Sequence, residues 1–468
     1  MKTTIKTLSI IAMALVLFQP KSLNSQPTYN SAVLDVDSSY SYATIRAYSA
    51  NITILCHHSS STSPTTPWLI MTDITTGTSR YIELQPGYVV SDMRIYNGFV
   101  FFCGSTAGGE ASYGFVDINS FWTLPPATFN VEYRNFPNTL GHGVLTHLQV
   151  YHDGTSEKLV ALGYETYTGT APVMIPPSAS GSYASCLSSS CREYFVVECT
   201  NPRSSAPALD YLLVNTVNNN EYLSDMVLTN SYVAIVGYDA NTSMSVYIHR
   251  CKRYDVLNTF SDRHEYSIPY CVSFTGLKCC AMKGDTIAIA NISDNSGNYG
   301  IRLRVVDVAS MNMTCAQELP KTGKTDIFDM VYYPQHQMLL LSTYFDILPY
   351  APYYGDDWVF MRVEPYNTNA YTTTGIIETI RRYEYRSMDM IANDYFVASG
   401  GGFGFAKNAI TDISSPGCYV TRGWDVKQIV KLYIDPSPQT YDIGNDNFVL
   451  DNSLRQSNFL GTLVRCSW

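Results

Sequence analysis

The chain has 468 residues and a formal net charge of -10, and an acidic chain lacks the basic face with which proteins displace counterions from a polyanion. This excludes nucleic acid as an expected partner. Charged residues make up only 15% of the chain while aromatic residues make up 13%, with 37 tyrosines, and this composition favours β structure over helices.

The first 25 residues have the pattern of a secretory signal peptide. Two lysines precede an apolar run from Leu8 to Phe18, and a polar stretch follows that run. The run is shorter than the roughly 18 residues of a membrane helix. We therefore predict cleavage after Ser25, a mature chain of residues 26–468 in one domain, and export to the periplasm or the extracellular space. No later stretch has the length of a membrane helix, so no transmembrane segment is expected.

A short motif recurs along the predicted mature chain. It consists of an Asp-Met pair, a tight turn and a dense apolar strand, as in VSDMRIYNGFVFFCG at residues 90–104. Related stretches follow at intervals of about 50 residues or somewhat more, the length of a four-stranded propeller blade. We call the place of the aspartate the anchor position. In chain order it is occupied by Thr44, Asp92, His147, Asp225, Cys279, Asp329, Asp389 and Asp442.

Each copy of the motif begins a unit of four predicted strands. The anchor strand leads through a turn such as Asn97-Gly98 into a second strand, and a third strand ends at an aspartate-started turn, as at Asp117 and Asp307. The chain ends in three strands, whereas one orphan strand precedes the first copy. That orphan strand is expected to complete the last blade and close a ring. We therefore predict an all-β fold: a single β-propeller of eight four-stranded blades, with seven as the alternative.

On these repeats the chain resembles secreted bacterial β-propeller proteins over nearly its whole predicted mature length, although it matches no characterised family. The resemblance implies that the loops between second and third strands open on one face around a central channel, where such proteins usually carry their function. Because one fold supports many functions, this remains an analogy at the level of the fold. The longest of these loops cover residues 57–67, 163–191, 343–358 and 399–417.

The loop at residues 343–358 is the strongest candidate for ligand binding. It combines several aromatic side chains with two carboxylates: Tyr344, Tyr350, Tyr353, Tyr354, Asp356, Asp357 and Trp358. Flat aromatic faces with polar edges suit sugar rings and protein surfaces equally well. The alternative is that these tyrosines pack over the ends of the propeller's own blades, since large aromatic side chains are usually buried.

The anchor aspartates have two interpretations. Five anchor positions carry one: Asp92, Asp225, Asp329, Asp389 and Asp442. A ring of carboxylates at one level is able to hold a hard cation such as calcium, and no other cofactor is predicted. We favour a structural interpretation, in which each carboxylate caps backbone N–H groups of its own or the adjoining blade. A feature that repeats around a ring serves the ring, whereas a ligand site breaks the symmetry.

The chain has one histidine cluster: His142, His147 and His152. In a strand, a spacing of five sends successive side chains to opposite faces, so the three cannot bind one metal from a single strand. His142 precedes the strand and is able to fold back beside His147 at the channel mouth. In a carbohydrate lyase of propeller form, such imidazoles would serve as a base or as metal ligands.

No G-x-S-x-G, H-E-x-x-H or P-loop motif occurs in the chain. We therefore expect a non-catalytic propeller that binds a glycan or a protein partner of the cell envelope. The alternative is a carbohydrate-active hydrolase or lyase, working at the channel mouth with His142 or His147 and with anchor carboxylates such as Asp92 and Asp225.

The twelve cysteines do not reveal a disulfide pattern. For Cys56 and Cys103, which end apolar strands, free thiols and bridges are equally expected. The adjacent Cys279 and Cys280 are able to form only a strained vicinal bond.

Overall fold

The structure is a computed structural model. It describes residues 31–35, 40–59, 67–73, 79–123, 131–136, 143–166, 192–214, 221–239, 246–260, 263–266, 276–295, 298–318, 325–335, 337–345, 357–363, 365, 373–379, 385–391, 395–400, 403–409, 419–422, 443–447 and 462–466. The predicted signal peptide, residues 1–25, lies outside this part of the chain.

All strands of the described chain pair antiparallel, and they form seven sheets. The chain begins with β1 (Ser31–Asp35). The first sheet contains β2 (Tyr40–Ala47), β3 (Ile52–Ser59), β4 (Trp68–Asp73) and β5 (Ser79–Glu83). The second contains β6 (Val89–Tyr96), β7 (Phe99–Ser105), β8 (Ala111–Asp117) and β9 (Glu132–Asn135), with a short helix α1 (Ile118–Thr123). The third contains β10 (Gly143–His152), β11 (Glu157–Thr166), β12 (Arg192–Thr200) and β13 (Ala208–Val214).

The next three sheets follow the same order. The fourth contains β14 (Glu221–Leu228), β15 (Tyr232–Asp239), β16 (Val246–Lys252) and β17 (Arg263–Tyr266), with a short helix α2 (Val256–Thr259). The fifth contains β18 (Lys278–Ala281), β19 (Thr286–Asn295), β20 (Asn298–Asp307) and β21 (Asn312–Glu318). The sixth contains β22 (Thr325–Tyr333), β23 (Met338–Phe345), β24 (Asp357–Val363) and β25 (Thr373–Thr379).

The seventh sheet includes both ends of the described chain. Its first strands are β26 (Tyr385–Ile391), β27 (Tyr395–Gly400) and β28 (Phe403–Ala409). Three more strands follow in the chain: β29 (Tyr419–Arg422), β30 (Ile443–Asn447) and β31 (Thr462–Cys466). Only β30 and β31 belong to the seventh sheet. β29 adds to the outer edge of the sixth sheet beside β25. β1 lies in the seventh sheet between β28 and β31, and β30 lies beyond β31 at the edge.

The predicted eighth blade is not found in the described part of the chain. β1 pairs with a strand of the seventh unit, β28, as well as with β31 from the expected eighth unit. The strand after Asp442, which we predicted to begin the last blade, is β30 at the outer edge of the seventh sheet. Asp442 itself lies outside the described residues. The described residues form seven sheets, the number given as the alternative, and the prediction of eight blades is not confirmed.

The innermost strands of the seven sheets follow one another around a central axis. Each innermost strand contacts the innermost strand of the next sheet, in the order β2, β6, β10, β14, β18, β22 and β26. The last of them, β26, contacts the first, β2. A hydrogen bond from the backbone N–H of Ile45 to Ser387 Oγ, 3.3 Å long, joins the first sheet directly to the seventh. Radially arranged antiparallel sheets around an axis are the architecture of a β-propeller.

The turn chemistry read from the sequence is confirmed. Asn97 and Gly98 have φ angles of 47° and 76°, as a two-residue hairpin turn with both central residues at positive φ requires. The turn after the third strand is capped as expected for aspartate: Asp117 Oδ1 accepts a hydrogen bond from the Asn119 N–H, at 2.9 Å.

A β-bulge interrupts the innermost strand in six of the seven described sheets, and in four of these the residue paired directly before the bulge is a glycine of the second strand. Gly237, for example, pairs with Leu223 directly before the bulge in β14. A Cβ atom at Gly237 would stand 2.6 Å from the Tyr222 carbonyl oxygen, so no larger residue fits there. The bulge bends the strand towards the axis and sets the direction of the next side chain, which is the anchor residue.

The apolar core lies between neighbouring sheets. Cys279 belongs to the cluster between the fourth and fifth sheets, whereas Cys280 belongs to the cluster between the fifth and sixth. Their side chains therefore point to opposite faces of β18 and do not form a vicinal bond. All described cysteines with a placed side chain are buried free thiols: Cys56, Cys103, Cys199, Cys251, Cys279 and Cys280. Among the described residues, no helix has the length and apolar character of a membrane span.

Candidate functional site

The anchor aspartates of the second, fourth and sixth sheets each cap two backbone N–H groups. Oδ1 of Asp92, Asp225 and Asp329 accepts a hydrogen bond of 2.8 Å from the N–H of the following methionine. Oδ2 of each accepts from the next sheet around the ring. The donors to Oδ2 are the N–H groups of Leu148 at 3.1 Å, Cys279 at 2.8 Å and Met388 at 2.7 Å. The structural interpretation of these aspartates is thereby confirmed.

These hydrogen bonds correct two of the anchor positions. In the third sheet the donor, Leu148, is the residue directly after the anchor His147. The corresponding donors in the fifth and seventh sheets are Cys279 and Met388, so the anchors there are the residues directly before them, Lys278 and Ser387. The sequence had predicted Cys279 and Asp389. Aspartate therefore occupies the anchor in every second sheet.

Because seven is an odd number, two neighbouring sheets lack an anchor aspartate, and these are the seventh and the first. There the Ser387 hydroxyl takes the place of a carboxylate and accepts from the Ile45 N–H. Asp389, two residues further along β26, adds a second cap: its Oδ2 accepts from the Ala47 N–H at 2.8 Å. Its Oδ1 accepts from the Met390 N–H at 2.9 Å. All four described aspartates of the metal hypothesis are thus engaged by backbone donors.

Two of the remaining junctions between sheets use donors in place of acceptors. Arg46 Nε donates to the Met93 carbonyl at 2.7 Å, between the first and second sheets. Gln149 Nε2 donates to the Met226 carbonyl at 3.1 Å, between the third and fourth sheets. Both donors stand two residues after an anchor, so they lie on the anchor's side of the strand. From the first to the fifth sheet, the junctions of the ring therefore alternate between donor and acceptor side chains.

The side chains of this ring form a band of charges around the axis, which we call the polar belt. It consists of Arg46, Asp92, Arg94, His147, Asp225, Lys278, Asp329, Ser387 and Asp389. Among the described residues no group of three or more potential ligands is placed to hold a metal ion. The calcium hypothesis stays a prediction, and its fifth residue, Asp442, lies outside the described chain.

Asp92 and Arg46 form the most highly connected pair of the polar belt. Asp92 Oδ1 accepts from Arg46 Nη2 at 2.8 Å and from Arg94 Nη1 at 2.7 Å. Burial acts to raise the pKa of Asp92, but the two guanidinium groups outweigh burial and hold this pKa below its ordinary value. Arg46 Nη1 also donates to Ser387 Oγ at 3.1 Å, so one guanidinium joins the first, second and seventh sheets.

His147 lies between two of the anchor carboxylates. Its Nε2 is 3.5 Å from Asp225 Oδ1, and its Nδ1 is 3.0 Å from Thr146 Oγ1. Burial lowers the pKa of His147, and the positive charges of Lys278 and Arg94 lower it further, against the opposing effects of Asp225 and Asp92. His152 is exposed at the far end of β10, about 17 Å along the strand. His142 lies outside the described residues.

We predict a pH effect on stability that depends on His147. Because its pKa in the folded protein lies below the ordinary value of 6.5, the unfolded chain binds the proton first as the pH falls. Stability is then complete above pH 6.5 and decreases below it, by up to about 1.4 kcal/mol for each pH unit until the folded pKa is reached. Denaturant melts at pH 7.5 and 5.5 should show a smaller difference for His147→Gln than for the wild type. The control His152→Gln should behave as the wild type, and an equal pH effect in all three proteins would contradict the prediction.

The predicted binding loop at residues 343–358 emerges above the polar belt. In the sixth sheet, Thr325 at the start of the innermost strand pairs with Phe345, and Phe345 pairs with Asp357. The loop therefore leaves the sheet at the end where the innermost strand begins. Asp329 lies four residues further along that strand, about 13 Å below this end.

Only part of the predicted aromatic and acidic set lies in the described chain. Tyr344 and Trp358 are opposite each other in the pairing of β23 with β24, and Asp357 begins β24. Tyr350, Tyr353, Tyr354 and Asp356 lie outside the described residues. Their role in binding stays a prediction.

Sequence reasoning missed four members of the polar belt: Arg46, Arg94, Lys278 and Ser387. Arg46 and Arg94 stand two residues after an anchor in the first two copies of the motif. That regular offset was a usable signal, because a period of two keeps residues on the same side of a strand. Lys278 and Ser387 were missed because the alignment of the copies was displaced by one and by two residues.

Comparison with known proteins gives no family assignment. No protein family model matches the chain, and no curated protein matches it. A puromycin hydrolase S511A mutant complexed with PGG is 10% identical with a TM-score of 0.48, over 89% of this chain and 58% of that chain. The β-propeller domain of the Trilobed protease from Pyrococcus furiosus is 8% identical with a TM-score of 0.39, over 80% and 97% of the two chains.

The polysaccharide lyase Uly1 is 9% identical with a TM-score of 0.43, over 78% of this chain and 89% of the lyase. An acylaminoacyl peptidase in complex with a chloromethyl ketone is 8% identical with a TM-score of 0.45. This chain spans 57% of the length of that peptidase. These similarities are too distant to indicate an activity.

Proposed function

We propose that this protein is an exported, non-catalytic propeller that binds a glycan or a protein partner of the cell envelope. The observation that carries the proposal is the state of the anchor carboxylates. In each of Asp92, Asp225 and Asp329, both oxygens accept backbone N–H groups, so the carboxylates serve to join the sheets. A catalytic carboxylate has to exchange protons or bind a reacting atom, and such engagement opposes both.

The ligand would bind to the loops at the end of the propeller where the innermost strands begin. The strands that carry the loop at residues 343–358 emerge there. Loops on a rigid scaffold are the usual place for recognition, because they vary while the sheets hold their ends in position. The tyrosines of this loop supply the stacking faces that a sugar ring or a protein surface requires.

A glycan array tests this proposal. The purified protein is compared with a variant in which Tyr350, Tyr353 and Tyr354 are all changed to alanine. We expect the wild type to bind at least one glycan and the triple variant to lose most of that signal, because each stacking face is lost. The control changes Tyr48 and Tyr254 to alanine, which are 42% and 64% exposed at the opposite end of the sheets.

The control variant should bind as the wild type does, and circular dichroism should show all three proteins equally folded. Binding that survives the loop triple variant would contradict the loop assignment. Absence of glycan binding by the wild type would move the proposal to a protein partner, which crosslinking at residue 353 in cells that produce the protein would test.

The alternative function, a carbohydrate-active hydrolase or lyase, is favoured by one observation. The structure brings together the three residues that this alternative requires, since His147 Nε2 is 3.5 Å from Asp225 Oδ1 and the Asp92 carboxylate acts on the same imidazole. A neutral imidazole is able to act as a general base. If the protein turns over a polysaccharide, His147→Ala should abolish turnover while the variant remains folded, and unchanged turnover would exclude this role.

A further inference from the structure

The polar belt contains hydrogen-bond donors that its own acceptors do not use. Arg94 Nη1 donates to Asp92 Oδ1 at 2.7 Å and to the Met93 carbonyl at 3.0 Å. Within the described part of the chain, Nε and Nη2 of this guanidinium have no such bond. The Lys278 ammonium has neither a hydrogen bond nor an ion pair with any described residue. Both side chains are only partly buried.

The carboxylates of the polar belt, in contrast, accept hydrogen bonds from donors of the protein itself. Asp92 accepts four hydrogen bonds, three of them on Oδ1. Asp329 and Asp389 each accept two backbone N–H groups, one on each oxygen. A molecule that enters the channel therefore meets free donors of positive charge, while the negative charges are turned towards the backbone. This asymmetry selects for an anionic ligand.

The residues that carry these donors lie along one continuous chain of contacts. Asp92 accepts from Arg94 Nη1 at 2.7 Å and from the N–H of Leu148, the residue after His147, at 3.1 Å. His147 Nε2 is 3.5 Å from Asp225 Oδ1, and Asp225 Oδ2 accepts at 2.8 Å from the N–H of Cys279, the residue after Lys278. His147 and Lys278 are anchor residues, and Arg94 is two residues past an anchor, so the three lie at nearly one level of the ring.

We propose that the central channel binds a carboxylate group, held by the free edge of Arg94 and by the Lys278 ammonium, with His147 between them. The guanidinium edge matches the two oxygens of a carboxylate. A monoanion is favoured over a phosphate dianion, because the four carboxylates of the belt repel a second negative charge more strongly. The site goes beyond the binding function proposed for the loops and does not depend on it.

The test is equilibrium binding of three probes: sodium D-glucuronate, sodium acetate and inorganic phosphate. Ionic strength is held constant with sodium chloride, so that general screening does not mimic binding. We expect both carboxylates to bind the wild type, and phosphate to bind more weakly. Lys278→Met should weaken carboxylate binding by about tenfold or more, the loss expected for one charge-assisted hydrogen bond.

The control is Lys283→Met, which removes the same charge from an exposed lysine in the hairpin after β18. It should bind as the wild type does. Since the Lys278 ammonium forms no hydrogen bond or ion pair with the described residues, Lys278→Met should stay folded, and circular dichroism of both lysine variants checks this.

Three results would overturn the proposal: no binding of either carboxylate by the wild type, equal affinities of wild type and Lys278→Met, or equal losses in the two lysine variants. Stronger binding of phosphate than of both carboxylates would overturn the choice of ligand. None of these results depends on the loop tyrosines, so this test and the glycan array fail or succeed separately.

Discussion

Replacing Asp92 with alanine is expected to lower the free energy of unfolding by about 3–5 kcal/mol, the usual cost of removing one partner from a buried ion pair. The substitution leaves the Arg46 guanidinium without its carboxylate, in a place where only 13% of that arginine side chain is exposed. It also leaves the N–H groups of Met93 and Leu148 without acceptors. Urea unfolding followed by tryptophan fluorescence measures the loss.

The matched control for this prediction is Asp307→Ala. Asp307 caps the turn after β20, where its Oδ1 accepts from the Ala309 N–H and its Oδ2 from Ser310 Oγ. It is a cap in an exposed turn, so its loss should cost only about 1 kcal/mol. If Asp92→Ala costs no more than Asp307→Ala, the polar belt does not join the sheets as described.

Replacing Arg46 with methionine is expected to destabilise the protein by about 3 kcal/mol or more, because a buried carboxylate loses one of its two cations. Methionine keeps most of the length of the side chain but none of its donors. The bonds to the Met93 carbonyl, to Ser387 Oγ and to Asp92 Oδ1 disappear together. Ser387 is 341 residues away in the chain, so the loss should weaken the junction between the first and seventh sheets.

Amide hydrogen exchange distinguishes this local effect from general destabilisation. The N–H groups of Ile45 and Ala47, which bond to Ser387 and Asp389 of the seventh sheet, should exchange faster relative to those of the third sheet. Arg94→Met is the control, because Arg94 also pairs with Asp92 but, in the described chain, donates hydrogen bonds only within its own sheet and is 25% exposed. Uniform acceleration across all sheets, or a smaller loss for Arg46→Met than for Arg94→Met, would contradict the closing role of Arg46.

The role of the anchor aspartates was predictable because it repeats. An aspartate placed at the same point of several units is expected to serve something that also repeats, and the backbone N–H groups of neighbouring innermost strands do so. The same alignment put His147 at the anchor position between those of Asp92 and Asp225, and in the structure its Nε2 is 3.5 Å from Asp225 Oδ1. The two mistaken anchors have separate causes.

At SMDM, residues 387–390, the Asp-Met pair occurs two residues after the true anchor, and a shift of two keeps the same face of the strand. The pattern of apolar residues therefore could not reveal the displacement. At Lys278 the motif has no aspartate at all, and the anchor was placed one residue too far along. Only the hydrogen-bond partners, Met388 N–H and Cys279 N–H, identify the equivalent positions.

The order of strands within each unit, the antiparallel pairing and the turn chemistry followed from local sequence. Alternating apolar residues and Asn-Gly or Asp-started turns act over a few residues, and each unit repeats them. The number of sheets, the place of β30 and the reach of Arg46 depended on contacts between residues hundreds of positions apart. A strand pattern states that a segment pairs, but not whether it pairs at the axis or at the outer edge. That choice depends on the closure of the ring, in which the first innermost strand, β2, packs against the innermost strand of the seventh sheet, β26.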